Sequence, residues 1–267
     1  MSKNNIISIE NVSFAYNSTA NILNDISLYI PKGSIVGIMG GSGSGKTTLL
    51  RLISGQILAN YGTVSIFNTD ITSLRQKELL NLRKRLGMLF QFGALFTDMT
   101  IYENVAFTLN EHTNLSNSII QSIVAMKLNA VGLFGTQDLY PNQLSGGMAR
   151  RVALARSIAL DPELMLYDEP FTGLDPITVN LTANLIKNLN TALGQTSVLV
   201  THDIETSLKI VDYVYFVAQG MIIAQGTPDD IKSTNNPLIK QFLQGGVTGD
   251  FEYKYNSNIK YEEYLKQ

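Results

Sequence analysis

A chain of 267 residues, 45% hydrophobic and 16% charged, has the size of one large α/β domain, or of one domain carrying a subdomain, and enough apolar material for a sizeable core. Its formal net charge of -2 gives no electrostatic reason to bind nucleic acid, and no such partner is expected. The absence of cysteine excludes disulfides and thiolate metal sites, and no apolar run approaches the roughly 20 residues that span a bilayer.

The stretch Met1–Asn5 is polar, without the apolar core of a secretory signal. Ile7, Ile9 and Val12 then open a β-rich start with period-2 character. Residues Asp25–Ile30 read as a strand closed by the turn Pro31-Lys32-Gly33. Ile35–Met39 is a short continuous apolar run, the pattern of a buried parallel strand. A helix is expected to open near Lys46, with Leu49, Leu50, Leu52 and Ile53 on its apolar side. Gly62–Phe67 and Leu86–Phe90 read as further strands. From about Thr100 to Leu160 the periodicity becomes helical, with Ile119, Ile120, Ile123 and Val124 at helical spacing. Leu164–Tyr167 and Ser197–Val200 restore the buried-strand pattern. Val214–Val217 and Met221–Ala224 flank Ala218-Gln219-Gly220 as a hairpin would.

Between the third of these strands and the first helix lies Gly40-Gly41-Ser42-Gly43-Ser44-Gly45-Lys46-Thr47, a full match to G-x-x-x-x-G-K-[ST]. Glycine lets backbone N–H groups turn inward around phosphate oxygens, and the following helix points its positive end at the same anion. Lys46 is placed to reach the β- and γ-phosphates, and the Thr47 hydroxyl to ligate Mg2+. With Thr48, residues 40–48 form the expected ATP cradle. Alone, the loop specifies only a P-loop nucleotidase.

Leu144-Ser145-Gly146-Gly147-Met148, followed by Ala149-Arg150-Arg151-Val152-Ala153-Leu154-Ala155-Arg156, narrows this. It resembles the signature motif of ATP-binding cassette (ABC) transporters, with Met148 where glutamine is commoner. Leu164–Asp168 followed by Glu169 is similar to the Walker B strand with its catalytic glutamate. Gly173-Leu174-Asp175 resembles the D-loop, Gln91 the Q-loop glutamine and Tyr16 the aromatic that stacks on adenine. His202 resembles the switch histidine, whereas the other histidine, His112, lies in a polar stretch and reads as a surface residue. The resemblance runs from about Ile7 to Leu243 with its motifs in the family's order.

The resemblance implies an α/β P-loop ATPase core with an antiparallel β subdomain and an inserted α-helical signature subdomain. It implies Glu169 as the general base, with His202 and Gln91 beside the attacking water. Mg2+ is then held by Thr47, Gln91 and Asp168, the last mostly through water. Ser145, Gly146 and Gly147 are expected to touch the ATP of a second cassette, with Asp175 linking the two sites, so catalysis requires a homodimer. The expected limits are 6–243 for the ATPase domain, about 92–160 for its helical subdomain, and 244–267 for a C-terminal extension. The aromatics Phe251, Tyr253, Tyr255, Tyr261 and Tyr264 suggest that this extension docks on a partner.

One stretch is more particular. Gly87–Thr100, continuing through Glu103-Asn104-Val105-Ala106-Phe107, is similar to the ATPase subunit of bacterial Mla-type phospholipid transporters. That likeness implies a peripheral place on the cytoplasmic face of an inner membrane and transmembrane permease partners. It further implies a membrane-anchored lipid-binding subunit and a small regulatory subunit. The alternatives are the ATPase of another ABC importer, for amino acids or other small solutes, and a non-transport ABC ATPase. Phe92, Ala94, Leu95, Phe96 and Met99 are expected to form an apolar groove for a partner's amphipathic helix. The basic cluster Arg75, Lys77, Arg83, Lys84 and Arg85 reads as a solvated helix face.

Overall fold

A computed structural model of the chain describes residues 4–17 and 21–244. The proposed docking tail therefore lies outside the described residues. In chain order the elements are β1 (Asn5–Phe14), β2 (Leu23–Pro31), β3 (Ile35–Met39), α1 (Lys46–Ile53), β4 (Tyr61–Ile66), β5 (Thr69–Asp70), α2 (Gln76–Arg83) and β6 (Leu86–Leu89). Three helices follow: α3 (Ile101–His112), α4 (Asn117–Ala130) and α5 (Gly146–Ser157). The chain then continues through β7 (Leu164–Asp168), α6 (Pro176–Leu193), β8 (Thr196–Thr201), α7 (Ile204–Ser207), β9 (Tyr213–Ala218), β10 (Met221–Gly226), α8 (Pro228–Ser233) and α9 (Pro237–Gln244).

Two sheets organise these elements. One is antiparallel, in the order β2-β1-β4-β5; the other is six-stranded, in the order β10-β9-β3-β8-β7-β6, parallel except for the edge strand β10. Alternation along the parallel strands sorts side chains to two cores. Val36, Ile38, Leu164, Leu166, Val198 and Val200 face the antiparallel sheet and α1. Met39, Met165, Tyr167, Leu199 and Phe216 face the opposite core, built with residues of α3, α4, α5 and α6. A sheet covered on both faces explains why its strands read as unbroken apolar runs rather than as alternation. The Tyr215 hydroxyl joins the two sheets, accepting from the Tyr29 N–H (3.0 Å) and donating to the Tyr29 carbonyl (2.8 Å).

Helix α1 lies between the sheets with Leu49, Leu50, Leu52 and Ile53 fully buried, as its sequence pattern predicts. Helix α3 is started by a capping box, in which Thr100 and Glu103 satisfy each other's backbone N–H groups. Helix α6 begins with Asp175 as N-cap and Pro176 in its first turn, and stops at Gly194, whose φ of 60° suits glycine. In α4 the apolar stripe is narrower than its sequence suggests. Ile120 and Val124 are buried, but Ile119 is exposed, because the stripe turns only one ridge toward α3 and α5. Among the described residues, no helix is long and apolar enough to cross a membrane.

Candidate functional site

Parallel register assembles the site. Met39 pairs with Thr201, Val200 with Asp168 and Tyr167 with Leu89. The carboxyl ends of β3, β8, β7 and β6 therefore align side by side. The loops that leave them carry Gly40–Gly45, His202, Glu169 and Gln91, four segments scattered over more than 160 positions in the chain. The carboxyl end of an open parallel sheet is where such folds bind ligands.

Glycine is required in the phosphate loop for space as well as for conformation. Gly40 has φ 148°, and a Cβ there would stand 2.0 Å from the Val217 carbonyl oxygen. Gly45 has φ 101°, and its Cβ would meet Leu23 Cδ2 at 2.6 Å. A hollow of about 280 Å³, lined by Ile22, Gly43, Gly45, Lys46, Thr47 and Thr48, opens over the start of α1. Lys46 is 6% exposed, and its ammonium donates to the Gly40 and Gly41 carbonyls at 2.9 and 2.8 Å. Burial pushes its pKa down, while the charges of Glu169 and Asp168 pull it back up. Ser44 presents a buried hydroxyl with no partner among the described residues, and a phosphate oxygen would satisfy it.

The Thr47 hydroxyl lies 3.4 Å from Asp168 Oδ1, so an alcohol and a carboxylate converge at the foot of α1. This oxygen pair fits a hard divalent cation accompanied by phosphate oxygens and water. The Asp168 carboxyl is raised above its ordinary range, chiefly by burial, against the lowering effect of the Thr47 hydrogen bond.

Glu169 continues the chain beyond β7 in the left-handed region, at φ 49°, while its N–H still donates to the Val200 carbonyl (2.8 Å). Its Oε2 lies 2.7 Å from His202 Nδ1, and accepts from the His202 N–H at 3.3 Å and the Thr172 hydroxyl at 3.4 Å. The sequence placed Glu169 and His202 in one site without indicating that they touch. Gln91 sits half-buried in a turn closed by the Gly93 N–H on the Phe90 carbonyl, two residues past Leu89 as Glu169 is two past Tyr167.

At the end of β1, Phe14 and Tyr16 part company. Phe14 is 6% exposed and belongs to the core; Tyr16 is 50% exposed, edge-on to Phe14, and its hydroxyl accepts from Arg51 of α1 at 3.0 Å. Of the pair, Tyr16 is therefore the exposed aromatic, and Arg51 is a contact that no motif announced.

Ser145 caps α5, its hydroxyl accepting from the Met148 N–H at 3.2 Å, and Ser145 and Gly146 face solvent. No hydrogen bond among the described residues joins them to residues 40–48. Backbone N–H groups at a helix start of this kind favour an anion. Asp175 is exposed and spends its carboxylate on α6: Oδ1 accepts from the Ile177 and Thr178 N–H groups, and Oδ2 from the Thr178 hydroxyl at 2.5 Å. Those bonds from Thr178 lower its pKa.

A groove of about 460 Å³ runs beside the Gln91 turn, lined chiefly by Met88, Phe90, Ala94, Phe96 and Phe107, with Arg83, Lys84, His112 and Arg156 on its walls. Of the five residues expected to form it, Ala94 and Phe96 do so, while Met99, half-buried, does not line it. Leu95 instead packs on the core, and Phe92, 86% exposed, projects elsewhere. The shift follows from β6, whose Met88 supplies apolar surface from the adjoining strand. The basic cluster also divides. Arg83 donates to the Ser54 and Gly55 carbonyls, and Arg85 pairs with Glu163 and stacks on Phe67 at 3.7 Å, so both are structural ties.

A glycine-rich loop between β3 and α1, a carboxylate pair at the end of β7 and a helical segment between β6 and β7 define a P-loop nucleotide-binding cassette. Residues 23–172 match the family model described as ABC transporter. The chain is 47% identical over 263 residues, covering 98% of each sequence, to the intermembrane phospholipid transport system ATP-binding protein MlaF of Haemophilus influenzae. It is also 47% identical to MlaF of Escherichia coli, over 94% of this chain and 93% of that one. It superposes with a TM-score of 0.76 on the dimeric post-hydrolysis structure of the ATP-binding cassette MJ0796 bound to ADP and Pi, at 31% identity over 83% of this chain and 98% of that one. The chain belongs to the ABC transporter family, and its activity is that of an ABC ATPase: it binds and hydrolyses ATP.

Proposed function

We propose that the chain is the ATPase subunit of a transporter that moves phospholipid between the inner and outer membranes of a diderm bacterium. The observation that carries this reading is the 47% identity to a phospholipid-transport ATP-binding protein across 98% of both chains. The aligned length spans the segment around the Gln91 turn.

In this reading residues 40–48 cradle the triphosphate, and Lys46 exchanges its two loop carbonyls for phosphate oxygens. Tyr16 stacks on the base. Thr47 and Asp168 would hold Mg2+, Asp168 mostly through water, with Gln91 beside it; when bound, the ion neutralises phosphate charge. Glu169 takes a proton from the attacking water, and His202 orients the carboxylate it touches. Ser145, Gly146 and Gly147 close on the nucleotide of a second copy, with Asp175 at the junction, so the working unit is a homodimer.

The apolar groove of about 460 Å³ is suited to a short amphipathic helix from a transmembrane permease subunit. A membrane-anchored lipid-binding subunit and a small regulatory subunit complete the assembly, at the cytoplasmic face of the inner membrane. Residues 6–243 form the ATPase domain, with its helical subdomain at about 92–160, and 244–267 the extension.

The test is reconstitution of the full chain with a transmembrane permease subunit from the same organism, in proteoliposomes carrying fluorescent phospholipid. ATP-dependent phospholipid transfer that disappears with Glu169→Gln is the expected result. ATPase stimulation by amino acids or other small solutes, with no phospholipid movement, would overturn the assignment.

A further inference from the structure

Arg150 closely follows the Ser145-Gly146-Gly147 start and lies 19 residues before Glu169 in sequence, yet the fold brings its guanidinium to the Glu169 turn. It lies on α5, five residues after Ser145. One nitrogen of its fork donates to the Glu169 carbonyl at 3.4 Å and the other to the Thr172 carbonyl at 3.0 Å. Glu169 and Thr172 are the ends of a turn that the Thr172 N–H closes on the Glu169 carbonyl at 3.3 Å. Arg150 thus holds both ends of the turn whose first residue carries the carboxylate facing His202.

Three observations make this more than packing. Arg150 is 8% exposed, and no carboxylate pairs with it among the described residues. A buried guanidinium satisfied only by carbonyls loses hydration without a counter-charge to offset it, so its two carbonyl bonds are the interactions that fix its place. Its lowered pKa has burial as its cause, as expected of a cation without a counter-charge. Secondly, Glu169 sits at φ 49°, a conformation that a residue with a Cβ holds only when its surroundings impose it. Thirdly, neighbouring arginines of α5 go elsewhere: Arg151 to the Val131 and Gly132 carbonyls, Arg156 to those of Gly93 and Ala94. Among these three, Arg150 alone reaches the turn of Glu169.

We propose that Arg150 is a positioning residue for ATP hydrolysis, fixing the backbone of Glu169 from the helix that the Ser145-Gly146-Gly147 signature begins. The inference rests on Glu169 being the base. It gives each cassette a rigid path from the signature, which serves the other subunit's nucleotide, to the carboxylate that serves its own. A two-pronged donor is needed because the two carbonyls belong to opposite ends of the turn, and a lysine ammonium cannot present that fork.

The test compares Arg150→Met, Arg150→Lys and Glu169→Gln with the wild-type full chain. It measures steady-state kcat and KM for ATP, equilibrium binding of a fluorescent ATP analogue, and thermal unfolding. For Arg150→Met, kcat should fall roughly 100-fold, the scale of a small misplacement of a catalytic group, with analogue affinity and KM held within about twofold. Arg150→Lys should recover part of the loss. A kcat for Arg150→Met within about twofold of wild type, beside an inactive Glu169→Gln, overturns the positioning role and leaves the base assignment standing. Glu169→Gln turning over at the wild-type rate overturns the base assignment itself. If Arg150→Met does not fold, Arg150→Lys decides: lowered kcat at unchanged KM supports the role, and unchanged kcat refutes it. Loss of kcat and analogue affinity together, with no recovery in the lysine variant, would show a merely structural arginine.

Discussion

Nδ1 of His202 lies 2.7 Å from Oε2 of Glu169, and the backbone N–H of His202 points at the same oxygen from 3.3 Å. Two donors from one residue on one carboxylate oxygen fix its direction and leave the other oxygen for water. Glu169→Gln keeps the shape of the side chain and removes its capacity to take a proton. Turnover should fall by roughly 10²- to 10⁴-fold, the usual contribution of a general base, while ATP binding persists. Single-turnover hydrolysis set beside equilibrium nucleotide binding checks both halves.

Lys46 makes a different kind of contribution. Its ammonium is buried at the mouth of the loop, held there by two carbonyls at 2.9 and 2.8 Å that phosphate oxygens would replace. Hydrogen bonds to charged groups contribute about 1.5–3 kcal/mol, which sets the expected loss of nucleotide affinity in Lys46→Ala at roughly 10- to 100-fold. The defect belongs in Kd. A variant that binds ATP normally and only turns over slowly would argue against this placement of the lysine.

Asp168 sets stability against function. Burial raises its carboxyl pKa, so folding disfavours the ionised form. At neutral pH, Asp168→Asn should therefore raise the melting temperature of the nucleotide-free protein. The sign follows from linkage: a carboxyl whose folded pKa is raised gains stability as pH falls through that pKa. The advantage of asparagine should accordingly shrink in acid. Mg-dependent turnover should drop at least roughly 100-fold, since the carboxylate is gone from the metal's oxygen set. Melting curves at neutral and acid pH, without nucleotide, measure the first effect, and ATPase assays over a Mg2+ series the second.

How much of this was legible in the chain depends on distance along it. The phosphate loop, the carboxylates after Leu164–Tyr167 and the Ser145-Gly146-Gly147 helix start are local patterns, and each lies where its pattern places it. Buried parallel strands were equally readable, because unbroken runs such as Ile35–Met39 demand cover on both faces. Contacts made by ordinary side chains across the fold were not. Arg51 on Tyr16, Arg150 on Glu169 and Met88 beneath the groove depend on the order of strands in the parallel sheet and on the place of α1 and α5 around it. Arginine and methionine carry no spacing that would announce such roles. Tyr16 is an intermediate case: two aromatics stand two positions apart at the end of β1 and just beyond it, and only burial shows which one the core has taken.

Gly147 and Thr178 join the signature helix to the helix that Asp175 caps. A Cβ on Gly147 would stand 2.7 Å from Thr178 Cγ2. Thr178 has little freedom to yield, because its hydroxyl is held by Asp175 Oδ2 at 2.5 Å and its N–H by Oδ1 at 3.1 Å. Gly147→Ala gains about 0.5–1 kcal/mol of helix propensity, but overpacking of this kind costs about 1–3 kcal/mol, so the net change should be destabilising. The start of α5 should also shift away from α6, lowering turnover along with stability. Thr178→Ser removes the offending methyl and keeps the hydroxyl that Asp175 holds. The double variant Gly147→Ala/Thr178→Ser should therefore recover both properties relative to Gly147→Ala alone. Urea unfolding and ATPase measurements on the two single variants and the double variant decide it. Equal stability of Gly147→Ala and wild type, or additive losses in the double variant, would mean that this contact does not set the spacing of the two helices.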